Sequence, residues 1–68
     1  MNDGIYISLG QAVKMIRSIK PESSININDV ARYAGAILDK SQIHVKNSQT
    51  FIPNEWFWEN INDLKRLK

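Results

Sequence analysis

The segment Ile43-His44-Val45-Lys46-Asn47-Ser48-Gln49-Thr50-Phe51-Ile52-Pro53-Asn54-Glu55-Trp56 constrains the fold more than any other part of the chain. Ile43-His44-Val45 and Thr50-Phe51-Ile52 carry the β-branched and aromatic residues of strands. Lys46-Asn47-Ser48-Gln49 between them is a four-residue polar link, within the usual length of a hairpin connection. Pro53 suits the first turn of a helix, where its missing N–H has no intrahelical partner to lose. Phe57, Ile61, Leu64 and Leu67 then mark one apolar stripe and predict a single third helix. A hairpin running straight into a helix is how a small winged helix-turn-helix domain ends.

The first two thirds supply the rest of that layout. Gly4-Ile5-Tyr6-Ile7 reads as a short first strand or an extended lead-in. Ser8 is placed to cap a helix, with Gln11 three residues on as in a capping box. Leu9, Ala12, Val13, Ile16 and Ile19 recur at helical spacing, so a first helix is predicted over Leu9–Ile19. Lys20-Pro21-Glu22-Ser23-Ser24 ends it, because the residue before proline disfavours helix. Ile25-Asn26-Ile27 alternates like a tiny strand. Asn28 then caps a second helix, with Asp29 near its positive end and Val30, Ala31, Ala34, Ile37 and Leu38 as its apolar stripe. Gly35 inside that stripe fits a helical glycine, a turn or a point of close packing. Asp39-Lys40-Ser41-Gln42 is a polar connector. The expected fold is α+β, a single winged helix-turn-helix domain over residues 1–68 in the order β-α-α-β-β-α.

With 68 residues, the chain has room for one small domain and a thin stability margin. The sequence has no cysteine and one histidine, which excludes disulfide staples and thiolate metal sites. Nine Lys+Arg against seven Asp+Glu leave a net charge of +2, which permits binding to nucleic acid without demanding it. No apolar run reaches the roughly 18 residues of a membrane span. Met1-Asn2-Asp3-Gly4 lacks the charge and apolar stretch of a signal peptide, so a cytoplasmic location is expected. The initial methionine argues against an internal excision. Only three glycines occur, scattered, so there is no phosphate-cradling loop, and no spacing suggests a nucleophile, base and orienting group. No enzyme activity and no cofactor are expected.

Two phrases resemble the excisionase and MerR-like group of winged helix-turn-helix proteins: Tyr6-Ile7-Ser8-Leu9-Gly10-Gln11-Ala12-Val13, and His44-Val45-Lys46-Asn47-Ser48-Gln49-Thr50-Phe51-Ile52-Pro53. In that group a capped phrase opens the first helix, and a hairpin wing leads into an Ile-Pro that begins another. The middle departs from the group, because Pro21 to Ile27 intervenes between the first two helices. Ile27-Asn28-Asp29-Val30-Ala31-Arg32-Tyr33-Ala34-Gly35 is instead similar to the opening of the lac-repressor family's helix-turn-helix. There Ala36-Ile37-Leu38-Asp39 lacks the Ser/Thr-rich start of that family's recognition helix. Either resemblance implies binding to double-stranded DNA, as a regulator or an architectural factor of phage or mobile-element type. The two imply different recognition elements.

The candidate contact residues are Arg32, Lys40, Ser41, Gln42, His44, Lys46, Asn47 and Gln49. Arg32, Lys40 and Lys46 suit phosphates, where neutralisation releases counterions; Gln42, Asn47 and Gln49 have amides that can read base edges. The plainer reading is a solvated face with an ordinary polar hairpin tip. Lys14, Arg17 and Lys20 cluster on one side of the first helix, suited to bracketing a phosphate backbone or, on the plainer and favoured reading, to being the wet side of an amphipathic helix. His44 is expected at the sheet surface. Trp56-Phe57-Trp58 cannot all face one side of a helix, since successive residues lie ~100° apart. At least one tryptophan is therefore expected at the surface, and Trp56 and Trp58 are the candidate interface with a second copy or another protein. The plainer alternative is that both wrap the edges of a thin core. A small protein-binding inhibitor or adaptor using this aromatic helix is the rival function.

Overall fold

The structure is a computed structural model and describes residues 5–67 of the chain. Strand β1 (Tyr6–Ser8) passes directly into helix α1 (Leu9–Ile19) at Ser8, whose extended backbone and side-chain oxygen end the strand and cap the helix. The Ser8 hydroxyl oxygen accepts from the Gln11 amide at 3.2 Å, which satisfies one of the first-turn donors that no helix can pair internally. β1 begins two residues later and ends one residue later than the expected Gly4–Ile7, and Gly4 lies outside the described residues.

The link from Lys20 to Asn26 contains no strand, contrary to the expectation for Ile25-Asn26-Ile27. Ile25 is fully buried and Ile27 opens the next helix. Side-chain hydrogen bonds replace a strand partner. The Ile25 amide donates to the buried Ser23 hydroxyl at 3.2 Å, and the Arg17 guanidinium donates to the Ile25 carbonyl through Nη2 at 2.7 Å and Nε at 3.2 Å.

Helix α2 (Ile27–Ile37) is capped by Asn26, not Asn28. The Asn26 side chain accepts from the Asp29 amide and the Asp29 carboxylate accepts from the Asn26 amide, both at 3.0 Å. This reciprocal pair needs a three-residue spacing, which Asn26 and Asp29 have. Val30 and Ala34 are buried, whereas Ala31 faces out and Ile37 is 52% exposed at the C-terminal end of the stripe. A 3₁₀ turn at Lys40–Gln42 stands where a plain connector was expected.

Strands β2 (His44–Lys46) and β3 (Gln49–Pro53) make the hairpin. Lys46 pairs with Gln49, so the connection is a two-residue turn at Asn47 and Ser48, both at positive φ (54° and 65°), and not a four-residue link. β3 is the central strand. It pairs antiparallel with β1 (Ile7 opposite Ile52) and with β2 (Val45 opposite Thr50) in the order β1-β3-β2. Pro53 ends β3 and precedes the helix, which begins at Asn54, because the Asn54 amide donates to the Ile5 carbonyl at 2.7 Å and so extends the sheet ladder.

The expected single third helix is two: α3 (Asn54–Glu59) and α4 (Ile61–Lys65). Asn60 breaks it with φ −107° and ψ 14°, while its side-chain amide donates to the Trp56 carbonyl at 2.9 Å. A short polar side chain that bonds to the preceding turn competes with the regular ladder.

The core joins every layer: Ile7 and Ile52 from the sheet, Leu9, Ala12, Val13 and Ile16 from α1, Ile25, Val30 and Ala34, then Phe57 and Leu64. Full burial of the valine, leucine, isoleucine and phenylalanine side chains among them contributes about 1.5–3 kcal/mol each. The architecture is α+β in the order β-α-α-β-β-α, with the last helical segment divided.

Candidate nucleic-acid interface

Burial of Val30 and Ala34 fixes which side of α2 faces outward, and the capping pair fixes where the helix begins. Because Asn26 holds the cap, Asn28 is released to the exposed side of the first turn. Asn28, Arg32 and Gly35 then lie at successive turn spacings, with Ala31 beside them, all exposed. A Cβ at Gly35 would meet nothing within 4 Å, so its bareness is not required by internal packing. The result is a helix face with two polar side chains, Asn28 and Arg32, on an otherwise low surface.

The wing stands beside the start of this helix. Ser48, Gln49 and Thr50 share an open groove of about 190 Å³ with Ser8, Leu9, Gly10 and Ile27. The hairpin tip and the N-terminal ends of α1 and α2 therefore converge at one end of the domain. Strand alternation puts His44, Lys46, Gln49 and Phe51 on the outer face of the sheet, and Val45 and Thr50 on the face that carries Ile7 and Ile52. Val45, 71% exposed, overhangs the core edge on that side.

The eight predicted contact residues separate into distinct settings. Arg32 lies on the outer face of α2, and Lys46, Asn47 and Gln49 are exposed at or beside the wing tip. Lys40 and Ser41 are exposed beyond the opposite end of α2. Gln42 accepts from the Asp39 amide at 3.4 Å and closes the 3₁₀ turn. His44 braces the wing: its Nε2 lies 3.0 Å from the Tyr6 hydroxyl, and the two rings meet edge-on with centroids 4.6 Å apart. This contact spans the central strand and ties β2 to β1.

Asn28 and Ser48, which are not among the eight, are also exposed, on α2 and at the hairpin turn. The signal for Asn28 was the alternative cap Asn26, whose spacing to Asp29 suits the reciprocal pair. Of the basic residues on α1, Arg17 is committed to the Ile25 carbonyl and Lys20 Nζ donates to the Lys65 carbonyl at 3.1 Å. The tryptophans also divide. Trp56 is half-buried against the core and lies 6.0 Å from the Tyr33 ring, while Trp58 is 42% exposed and meets Phe57 edge-on at 5.0 Å.

One titratable group in the helical layer is perturbed. Partial burial raises the Tyr33 phenol above its ordinary value, and the Asp63 carboxylate, which accepts its proton at 3.4 Å, raises it further. This bond links α2 to α4. Among the described residues, no helix is long and apolar enough to cross a membrane.

No family model matches the chain, and no curated protein or solved structure shows a significant match to it.

Proposed function

We propose that the chain is a small, non-enzymatic DNA-binding regulator or excisionase-like architectural factor, acting on double-stranded DNA in the cytoplasm. The reading rests on one observation: the hairpin tip and Ile27 at the N-terminus of α2 line one open groove, and the exposed face of α2 that begins at the next residue carries Asn28 and Arg32 among Ala31 and Gly35. An α-helix with its side chains is ~10–12 Å across and a major groove is about 12 Å wide, so small residues favour close approach. The Asn amide matches the adenine edge with one donor and one acceptor, and the Arg guanidinium donates twice to the two acceptors of the guanine edge. Lys46, at the wing, supplies a phosphate contact beside that groove, and Lys40 supplies one beyond the far end of α2.

The test is binding to a mixed pool of duplexes at several salt concentrations. Affinity is expected to fall log-linearly with salt, and Lys46→Ala to reduce the slope by ~1. Arg32→Ala should cost about 1–3 kcal/mol on a selected site and relax preference at one base pair. A folded protein that ignores DNA at low salt refutes the proposal. The exposed Trp58 supports the rival reading, a protein-binding adaptor, and that result would favour it.

A further inference from the structure

The register of the sheet divides the wing into a supported base and a free end. Ser8, Phe51 and His44 stand opposite one another across the three strands, as one row on one face. This is the last three-stranded row on that side, because β1 turns into α1 directly after Ser8. Beyond it the hairpin continues on two strands, through Val45 opposite Thr50 to Lys46 opposite Gln49 and the turn at Asn47 and Ser48. A two-stranded hairpin with nothing else to support it is marginally stable in water.

The core gives β2 little of that support. All three of its residues are exposed, and these include Val45, the one on the core side of the sheet. At the tip, Ser48, Gln49 and Thr50 face the starts of α1 and α2 across an open groove. What ties β2 to the body, besides its ladder with β3, is the contact between His44 and Tyr6. Tyr6 shares the outer face with His44, one row deeper into the sheet, opposite Pro53. Its side chain crosses β3 diagonally, so that the hydroxyl lies 3.0 Å from His44 Nε2 and the rings meet edge-on. The tie therefore sits where three strands become two. Lys46 follows two residues farther along the same face, about 7 Å on at the rise of a strand, so a small rotation at His44 is magnified at Lys46.

We propose that Tyr6 and His44 are positioning residues for the wing. Their contact sets the angle of the hairpin to the body, so that Lys46 meets a phosphate while the exposed face of α2 lies in the groove. His44 acts through Lys46, without touching DNA. The inference rests on the DNA-binding reading and deepens it. Its physical basis is preorganisation: a wing already held at the bound angle loses less freedom on binding, whereas an untethered one must be ordered by the DNA. Removing the contact leaves Lys46 present but no longer aimed.

The experiment compares the wild-type chain with His44→Ala and Tyr6→Phe by two readouts. In the free protein, amide hydrogen exchange at residues 45–50 should speed several-fold in His44→Ala, and less in Tyr6→Phe, which keeps the ring contact. Exchange in α1 should stay as in the wild type, since His44 is exposed and the core is untouched. With the mixed duplexes at several salt concentrations, His44→Ala should reduce the salt slope by up to ~1, as Lys46→Ala does. The double variant should lose less affinity than the two single losses added, because both act on one contact. Additive losses would make His44 an independent contact and overturn the proposal. So would a salt slope unchanged in His44→Ala, the mark of a merely stabilising bond, or wing exchange indifferent to both variants. A wild-type chain that ignores DNA at low salt refutes the reading beneath the proposal, and the exchange result tells that failure from a failure of the tie itself.

Discussion

Gly35→Ala should stabilise the protein. Gly35 is the third residue from the end of the eleven-residue α2, is exposed, and has nothing within 4 Å of the position where a Cβ would stand. Glycine in a helix interior costs about 0.8–1.0 kcal/mol relative to alanine, chiefly because the unfolded chain is more free. No clash offsets that gain here. For a domain of this size 1 kcal/mol moves the melting midpoint by about 4–8 °C, so a rise of several degrees is expected. Urea unfolding followed by helical circular dichroism should show a higher midpoint with an unchanged slope, since the surface exposed on unfolding is the same. An unchanged or lower midpoint would refute the reasoning, because it would mean that the backbone at Gly35 is not helical or that its outer side is covered.

Three further outcomes follow from local geometry. Asn26→Ala should cost ~1 kcal/mol by removing the α2 cap, whereas Asn28→Ala should leave thermal stability within about 0.5 kcal/mol; equal losses would show the cap misplaced. Ser48→Gly should stabilise the hairpin by about 0.5–1 kcal/mol in denaturant titration, since Ser48 sits at φ 65° where glycine carries no Cβ penalty. Tyr33 should titrate above the ordinary tyrosine value when phenolate absorbance is followed with pH, and Asp63→Asn should lower that midpoint. The folded phenol holds its proton more tightly than the unfolded one. Stability is therefore unaffected below pH ~10 and falls as pH rises through that value toward the folded pKa. A Tyr33 midpoint indifferent to Asp63→Asn would exclude the carboxylate as a cause.

Element order was legible in the residues because each boundary carries its own local chemistry. Ser8 caps α1 at the predicted residue, and the spacing from Leu9 to Ile19 gives that helix its full range. Errors arose where two local choices were nearly equal. Asn26 and Asn28 are both good caps, and only the reciprocal bond to Asp29 decides between them. Asn60 is compatible with a helix interior until its side chain turns back to the Trp56 carbonyl. The hairpin register depended on accepting positive φ at both Asn47 and Ser48, and serine gives no sign of that by itself.

The candidate site was less legible than the fold for a related reason. A polar residue declares itself in sequence, but whether a framework bond already holds it does not. Arg17, Lys20 and Gln42 are spent on carbonyls or on a backbone amide, and His44 is held against Tyr6. Asn28 is as good a cap by residue type as Asn26, so its sequence gives no sign that it stands on the exposed face of α2. Moving the cap by two residues changes no element in the order of the fold, yet it alters the outward face of α2. That face, with the wing beside it, is where the proposed function is most exposed to refutation: Asn28→Ala and Arg32→Ala should weaken DNA binding while leaving the fold in place, and two silent substitutions would remove α2 from the interface.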